Sequence, residues 1–416
     1  MTVALLGLDL GTTTVKAVAL TPTGETICTS NSKPIALHRG NGHATQNGDE
    51  IVAAAFDAIR LLLPDLPTHT SIAAIAMAAQ SGSVAPFGAD DMPLTHFTTW
   101  MDTRSDSIVD RWLEDGTGLR IAEVSGWQPG SGLGLSSIAW LGQNRPDIFN
   151  KACRYAGVDE FVVHALTGSW RANTSNASGM QLMNVHSAQW SQELCEVVRL
   201  RTDQLSALTR PGESIDTVTE PPAAGLERLV GATVVTGGHD QSCHALGLGL
   251  TRQGDVLLAA GTAWVLTAIA DHSTPTDIPA GMSVSHHVAP GRFTISRYLG
   301  GHGATAEAVR QHDASGKALD TAMRSASHQV EEALAEFGQV TSLTMVGGAA
   351  TDDTWPRLVA GAAGVPVRVV QDHALPAKAA AVLAGVGVGI FVDVDDVSLA
   401  PEHSRLIDQQ AEENLS

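Results

Sequence analysis

The chain has 416 residues, 44% of them apolar, and a mean hydropathy close to zero, which points to a globular protein with large cores. At roughly 150 residues per domain, that length predicts two or three domains. With 25 basic against 44 acidic residues, the formal net charge of −19 argues against nucleic acid or an anionic membrane surface as a main partner.

The N-terminal stretch predicts a meander of strands. Val3–Leu10 is an apolar strand, Gly11-Thr12-Thr13-Thr14 a polar turn, Val15–Leu20 a second strand, and Glu25–Thr29 a third after the turn Thr21-Pro22-Thr23-Gly24. Asp49 is the expected N-cap of a helix carrying Ile51, Val52, Ala55, Phe56, Ile59, Leu62 and Leu63 at helical spacing. Ile72–Ala79 reads as a buried strand, and a helix with Ile108 and Trp112 is expected from Thr103 to near Gly116. The middle, about 119–222, mixes helices and loops without a repeat. Thr233–Thr236 is a short strand before Gly237-Gly238, and a helix follows from Asp240.

A second hairpin, 254–260 and 263–270 around Gly261-Thr262, echoes the first. An amphipathic helix over 318–337 follows, with Leu319, Met323, Ala326, Val330, Leu334 and Phe337 on one face and Gly338 as its stop. Strand 343–346 runs into Gly347-Gly348. Helix 355–363, strand 367–370 and a small-residue helix 377–387 complete the alternation. Alternating strands and helices imply α/β architecture, and the echoing hairpins imply two related lobes, divided as 1–236 and 237–416.

Several residue types carry chemistry. Glycine-rich turns at strand ends let backbone N–H groups approach an anion, and threonine hydroxyls add donors. Three such turns stand in order: Gly11-Thr12-Thr13-Thr14, Gly261-Thr262 and Gly347-Gly348. Taken singly, each could be an ordinary hairpin. Neither GxxxxGK[ST] nor GxGxxG follows a strand, which disfavours those two phosphate folds. Asp9 lies inside an apolar strand, where an unpaired carboxylate is costly; a metal ion or its water shell would account for it, as would a hydrogen-bonded structural role. Asp240 follows a strand and a Gly-Gly pair, so its carboxylate can project outward or cap the next helix. Four scattered cysteines, Cys28, Cys153, Cys195 and Cys243, form no Cys-x-x-Cys pair and read as reduced thiols. His239 and His244 are five apart and His286-His287 adjacent, neither of which puts two ligands on one helical face. No GxSxG elbow supports an esterase. There is no basic leader and no apolar run of roughly 18 residues, so a cytoplasmic location without membrane partners is expected.

Gly7-Leu8-Asp9-Leu10-Gly11-Thr12-Thr13-Thr14-Val15-Lys16 resembles the first phosphate motif of the actin-like ATPase and sugar-kinase superfamily. Gly261-Thr262 resembles its second. Val346-Gly347-Gly348-Ala349, with Trp355 and Gly364-Val365-Pro366-Val367, resembles its adenosine motif. Within that superfamily, Gly237-Gly238-His239-Asp240-Gln241 and Trp100-Met101-Asp102-Thr103-Arg104-Ser105 look like the FGGY carbohydrate kinases, which include xylulokinases, gluconokinases and glycerol kinases. The resemblance covers both ends of the chain well and the middle poorly. It implies an α/β fold of two actin-like (ribonuclease H-like) lobes with an interlobe active-site cleft. It also implies ATP and Mg²⁺ as cofactors and phosphorylation of a hydroxyl on a small sugar, sugar acid or polyol. Asp240 is then the catalytic base and Asp9 the metal residue. Thr12, Thr13, Gly261, Thr262, Gly348, Ala349 and Asp352 face the nucleotide, and Gln80, Ser81, Asp102, Arg104 and Gln241 face the substrate.

The sequence departs from the family in three places. Where xylulokinases read Gly-Gln-Met-His-Gly, this chain has Ala79-Gln80-Ser81-Gly82-Ser83, with Gly82 at the histidine position. The third glycine of the adenosine motif is Ala349. A long Pro/Gly-rich segment that relatives carry between His287-Val288-Ala289-Pro290-Gly291 and the 318–337 helix shrinks to a short connection near His312–Lys317. A degenerate or regulatory actin-like ATP-binding protein is the alternative function; an acetate kinase or chaperone ATPase would lack Gly-Gly-His-Asp plus Trp-x-Asp-x-Arg. A small-molecule substrate is the expected partner, and a homodimer is compatible with the family.

Overall fold

The computed structural model describes residues 2–261, 263–271, 281–312, 317–338, 340–399, 401 and 403–408. The chain divides into two compact units. The first comprises Met1–Gly249, Ser285–Pro290 and Ala374–Leu399; the second comprises Leu250–Val284, Gly291–His373 and Ala400–Ser416. Among the described residues, no helix is long and apolar enough to cross a membrane.

The first unit is built on a seven-stranded sheet. Its antiparallel meander is β1 (Thr2–Leu10), β2 (Val15–Leu20) and β3 (Thr26–Asn31), with helix α1 (Gly48–Leu62) packed on one face. β4 (Thr70–Ala79) runs parallel to β1. Beyond β4 lie β5 (Ser214–Thr217), β6 (Thr233–Val235) and the short β7 (Gly238–His239), the last two parallel to β4. β7 leads directly into helix α2 (Asp240–Gly247).

Strand alternation sorts the side chains of β1. Leu6, Leu8 and Leu10 join Ile51, Ala55 and Ile59 of α1 in one core cluster. Leu5 packs on the opposite face with Ala74, Ala76 and Ala78 of β4, against a helix rich in small residues, α3 (Leu375–Gly387). Gly7 shares that face. A methyl group there would overlap the carbonyl oxygen of Ala377 and crowd the backbone nitrogen of Ala381, so the helix backbone sits directly on the strand. Asp9 comes next along the same face.

The second unit repeats this strand plan. β8 (Asp255–Ala260) and β9 (Trp264–Asp271) form an antiparallel hairpin, followed across the sheet by β10 (Arg292–Gly300). On the other side of β8 come the parallel strands β11 (Ser342–Val346) and β12 (Val367–Gln371). The order β10-β9-β8-β11-β12 therefore matches β3-β2-β1-β4-β6 in both neighbours and direction. Helices α4 (Lys317–Glu336) and α5 (Thr354–Ala363) bury Met323, Val330, Trp355 and Leu358 against Val256, Leu258, Leu343 and Met345.

Several boundaries differ from the sequence reading. The cap of α1 is Asn47, whose Oδ1 accepts the N–H of Asp49 at 2.9 Å, so Asp49 is already inside the helix. The helix expected from Thr103 begins at Asp106, because Thr103 and Arg104 are held in a turn: the Thr103 N–H donates to Gly42 and the Arg104 N–H to Asp102. The division at 236/237 gives way to an interleaved one, in which α2 and the late helix α3 belong to the first unit. The physical reason is that α3 buries its alanine face on β1 and β4. The shortened connection near His312–Lys317 falls partly on 313–316, outside the described residues.

Gly7→Ala is expected to destabilise the protein by about 1–3 kcal/mol in denaturant unfolding, because the added methyl has only backbone to displace. Gly301→Ala, where the methyl would stand in open space, should stay within about 0.5 kcal/mol of the parent.

Candidate active site

The site is assembled at the carboxyl ends of β1, β4 and β7. In register, Asp9 of β1 and Gly238 of β7 flank Ala78 of β4, and Leu10 and His239 flank Ala79. Adjacent strands are about 4.8 Å apart. The chain therefore emerges from three neighbouring strands as Gly11-Thr12-Thr13, as Gln80-Ser81 and as Asp240-Gln241.

Asp9 is 7% exposed. Its Oδ2 lies 3.5 Å from Lys16 Nζ, the residue directly opposite it in the β1–β2 hairpin. Burial raises the carboxyl to about 6; Lys16 opposes that shift, and the nearby Asp240 carboxylate adds to it. Lys16 is thus the ion-pair partner of the buried acid. The signal was its position opposite Asp9 across the predicted hairpin.

Asp240 is the first residue of α2, and the cap position falls to His239, which makes no side-chain cap hydrogen bond. The Asp240 carboxylate instead lies 3.1 Å from His239 Nε2, with its side chain about one third exposed. A carboxylate in the first turn of a helix is favoured by the helix dipole. The capping role considered from sequence is not the one its side chain plays.

Two glutamines complete the surroundings. Gln80 is 5% exposed; its Nε2 donates to Gln46 Oε1 at 2.9 Å, and Gln46 Nε2 donates to the Thr12 carbonyl at 2.8 Å. This chain ties the end of β4 to the first glycine–threonine turn. Gln46 was not anticipated, since a lone polar residue in a short strand carries no motif. The Oε1 atoms of Gln80 and Gln241 are buried and have no hydrogen-bond partner among the described residues. A buried acceptor without a donor is costly and is normally satisfied by water or ligand. Thr12 is half-buried and Thr13 exposed, and the Thr13 carbonyl accepts the Ile35 N–H at 2.7 Å.

Other expected substrate residues are engaged within the protein. Ser81 donates to the Asn176 carbonyl at 2.7 Å. Asp102 is 3% exposed; Oδ2 accepts the Ala44 N–H at 2.9 Å, and Arg104 binds both oxygens while its guanidinium lies 4.1 Å from the Trp140 ring centre. Asp102 and Arg104 form an internal brace that fixes residues 99–104. Gly82 has φ +80°, and a side chain there would crowd Leu133 and the Gly179 carbonyl, so the histidine of the xylulokinase pattern would meet both strain and clash at this position.

In the second unit, the glycine motifs meet. A methyl on Gly347 (φ +95°) would come within 2.7 Å of the Ala260 carbonyl and 2.9 Å of the Gly261 nitrogen, so β11 ends against the β8–β9 turn. Gly348 faces open space, while Ala349 packs its methyl on the apolar core, so replacement of the third glycine is absorbed inward. Asp352 Oδ1 accepts the N–H groups of Thr354 and Trp355 at 2.7 and 3.3 Å, opening α5. Thr262 lies outside the described residues.

Among the described residues, no group of three or more His, Cys, Asp or Glu side chains is arranged to hold a metal ion. Asp9 with nearby Asp240 still fits Mg²⁺. That ion keeps several waters, takes few protein carboxylates, and would compensate the ionised form of a buried acid.

Two units that each carry the same meander-plus-parallel-strand sheet, one with paired acids and the other with convergent glycine turns, define a two-domain α/β protein of the actin-like ATPase fold. Residues 4–247 match the N-terminal domain of the FGGY family of carbohydrate kinases, and the chain belongs to that family. It is 27% identical to a gluconokinase of Bacillus licheniformis over 78% of this chain and 62% of that protein. It is 24% identical to a xylulose kinase of Bacillus subtilis (strain 168) over 63% of this chain and 52% of that one. The matches thus span about half to six-tenths of these relatives' lengths. A gluconate kinase from Lactobacillus acidophilus superposes with a TM-score of 0.91 at 19% identity, covering 99% of this chain and 95% of that one.

A raised acid binds its proton more tightly folded than unfolded, so its stabilising contribution is present below the ordinary value of 3.8 and is lost as pH rises through about 6. Asp9→Asn should therefore gain on the order of 2–3 kcal/mol relative to the parent between pH 3.5 and pH 7.5 in metal-free unfolding. A constant difference across that range would contradict the burial argument.

Proposed function

We propose that this protein transfers the γ-phosphoryl group of ATP to a hydroxyl of a small sugar, sugar acid or polyol. The observation that carries the reading is the placing of a buried, electrostatically strained Asp9 and a partly exposed Asp240 at the ends of two strands that flank β4, close enough for their charges to interact. Asp240 accepts the proton of the attacking hydroxyl as its oxygen bonds to phosphorus. Its exposure leaves room for a substrate, and His239 beside it holds the carboxylate in place. The buried Oε1 atoms of Gln80 and Gln241 accept hydrogen bonds from substrate hydroxyls. Asp9 would hold Mg²⁺, and that ion would supply charge neutralisation at the phosphates. Thr12 and Thr13 donate to phosphate oxygens. Gly261 and Thr262 supply the second phosphate turn, and Gly348, Ala349 and Asp352 border the adenosine.

The named relatives act on gluconate and xylulose, and the left-handed Gly82 removes the histidine of the xylulokinase pattern. A sugar acid or polyol is therefore favoured over xylulose. A panel of gluconate, xylulose, L-fuculose and glycerol with ATP and Mg²⁺, read by ADP release, tests this. Saturable ATP binding with no acceptor-dependent ADP release from any sugar would favour the non-transferring, regulatory alternative. Transfer persisting in excess chelator would remove the metal from the scheme.

Asp240→Asn should lower kcat by roughly 10²-fold or more, because the amide cannot take the hydroxyl proton. Nucleotide Kd should change less than about threefold, and stability by about 0.3–1 kcal/mol from the lost charge in the first turn of α2. The same change should lower the Asp9 carboxyl, since the neighbouring charge that raises it is gone. Wild-type kcat in this variant would sink the assignment of Asp240 as base.

A further inference from the structure

Away from the paired acids, the first unit holds a second pocket of about 310 Å³. Asp9, Gln80, Ser81, Asp240 and Gln241 do not line it. Of the residues expected to face substrate, Arg104 alone reaches its wall. The apolar part is formed by Val84, Ile138, Trp140 and Leu141. The polar part is rich in donors: Arg104, Arg145, His43, His96, Ser137 and Tyr155. Among the described residues, no carboxylate lines the pocket. Asp102 and Asp147, which pair with the two arginines, are not part of the wall.

Two of these groups are unexplained by the protein alone. Ser137 is 7% exposed and Tyr155 1% exposed, yet neither the Ser137 Oγ nor the Tyr155 hydroxyl has a hydrogen-bond partner among the described residues. Burying an unsatisfied hydroxyl costs about 1–3 kcal/mol. Ser137 and Tyr155 both line one open cavity, which marks it as a place where a ligand or its water shell is expected. Burial also pushes the Tyr155 phenol well above its ordinary value, so it remains a donor throughout the working pH range. Arg104 is held rigidly by Asp102 and by the Trp140 ring, which fixes one cationic edge of the pocket. The wall as a whole is suited to an oxyanion attached to a compact body that can lie on Trp140.

We propose that this pocket is a second ligand site that takes a small metabolite bearing a phosphate or carboxylate group. Ser137, Tyr155 and the arginines bind the oxyanion, and Ile138 and Trp140 bind the body of the molecule. Phosphate and carboxylate share this chemistry, so the probes separate the sources: inorganic phosphate, glucose 6-phosphate and gluconate, each titrated calorimetrically into the metal-free protein. Three variants assign the site. Ser137→Leu fills the cavity, Tyr155→Phe removes one hydroxyl with little change of shape, and Asp9→Asn perturbs the paired-acid site instead.

The expected result is saturable binding of at least one probe, with Kd at or below about 1 mM. Ser137→Leu should weaken it by about tenfold or more and Tyr155→Phe by about three- to tenfold, the loss of one buried hydrogen bond. Asp9→Asn should leave it unchanged, and the His43 and His96 ring carbon resonances should move in step with saturation. Binding that is insensitive to Ser137→Leu and Tyr155→Phe, or none of the three probes binding up to about 20 mM, overturns the proposal. Should Ser137→Leu fail to fold, Tyr155→Phe and the histidine resonances decide. The ADP-release assay without added anion is run in parallel, with Ser137→Leu expected at parental rate, so failure of this site is distinguishable from failure of the kinase reading.

Discussion

The burial of one carboxylate, Asp9, sets the terms for the first unit. It ends a face of β1 on which the two preceding positions, Leu5 and Gly7, lie under helix α3. Gly7 lets the helix backbone rest on the strand, and the alanines of β4 extend that close contact sideways. The result is a dry, low-dielectric surface right up to the acid, which is why its proton is held to about 6 despite a lysine 3.5 Å away. A residue kept in this condition remains under electrostatic strain even with Lys16 beside it. Strained or perturbed groups of this kind concentrate at functional sites, because stability alone would favour their replacement.

The two units share one strand plan but carry different chemistry at equivalent places. At the end of β1 stand an acid and hydroxyl-bearing turn residues; at the end of β8 stands Gly261, met by the glycine pair that follows β11. In the first unit, the parallel strand beside β1 delivers Gln80; in the second, the strand beside β8 delivers Gly347 and Gly348. Acid, amide and hydroxyl side chains are therefore grouped at the strand ends of one unit. Exposed backbone, which suits phosphates and the edge of a base, is grouped on the other. This separation follows from what a repeated scaffold allows: the sheet fixes where strands end, and the residues after each end are free to diverge.

Much of this was legible in the sequence. Apolar alternation marked β1, β2 and β4, helical spacing marked α1 and α4, and glycine pairs marked the ends of β6 and β11, because each signal is local and periodic. Asp9 stood out as a charge inside an apolar strand, and Asp240 as an acid after Gly-Gly. The Trp100–Ser105 segment illustrates the limit. Its residues were recognisable, but whether Asp102 and Arg104 meet a ligand or each other depends on Ala44 and Trp140, which lie 58 and 36 residues away from the side chains they engage. Gln46, which links Gln80 to Thr12, was invisible for the same reason.

The sequence by itself determined the elements, the order of the glycine turns and the identity of the two acids, since these rest on periodicity and on short-range residue chemistry. The tertiary structure alone decided which elements belong together. The helix 375–387 joins the N-terminal sheet rather than its sequence neighbours because its alanine face fits only a strand that offers Gly7 and the β4 alanines. It also decided that Ala349 turns its methyl into the core, and that Ser137 and Tyr155 line the same cavity. Long-range packing sets these outcomes, and no local pattern in the chain encodes it.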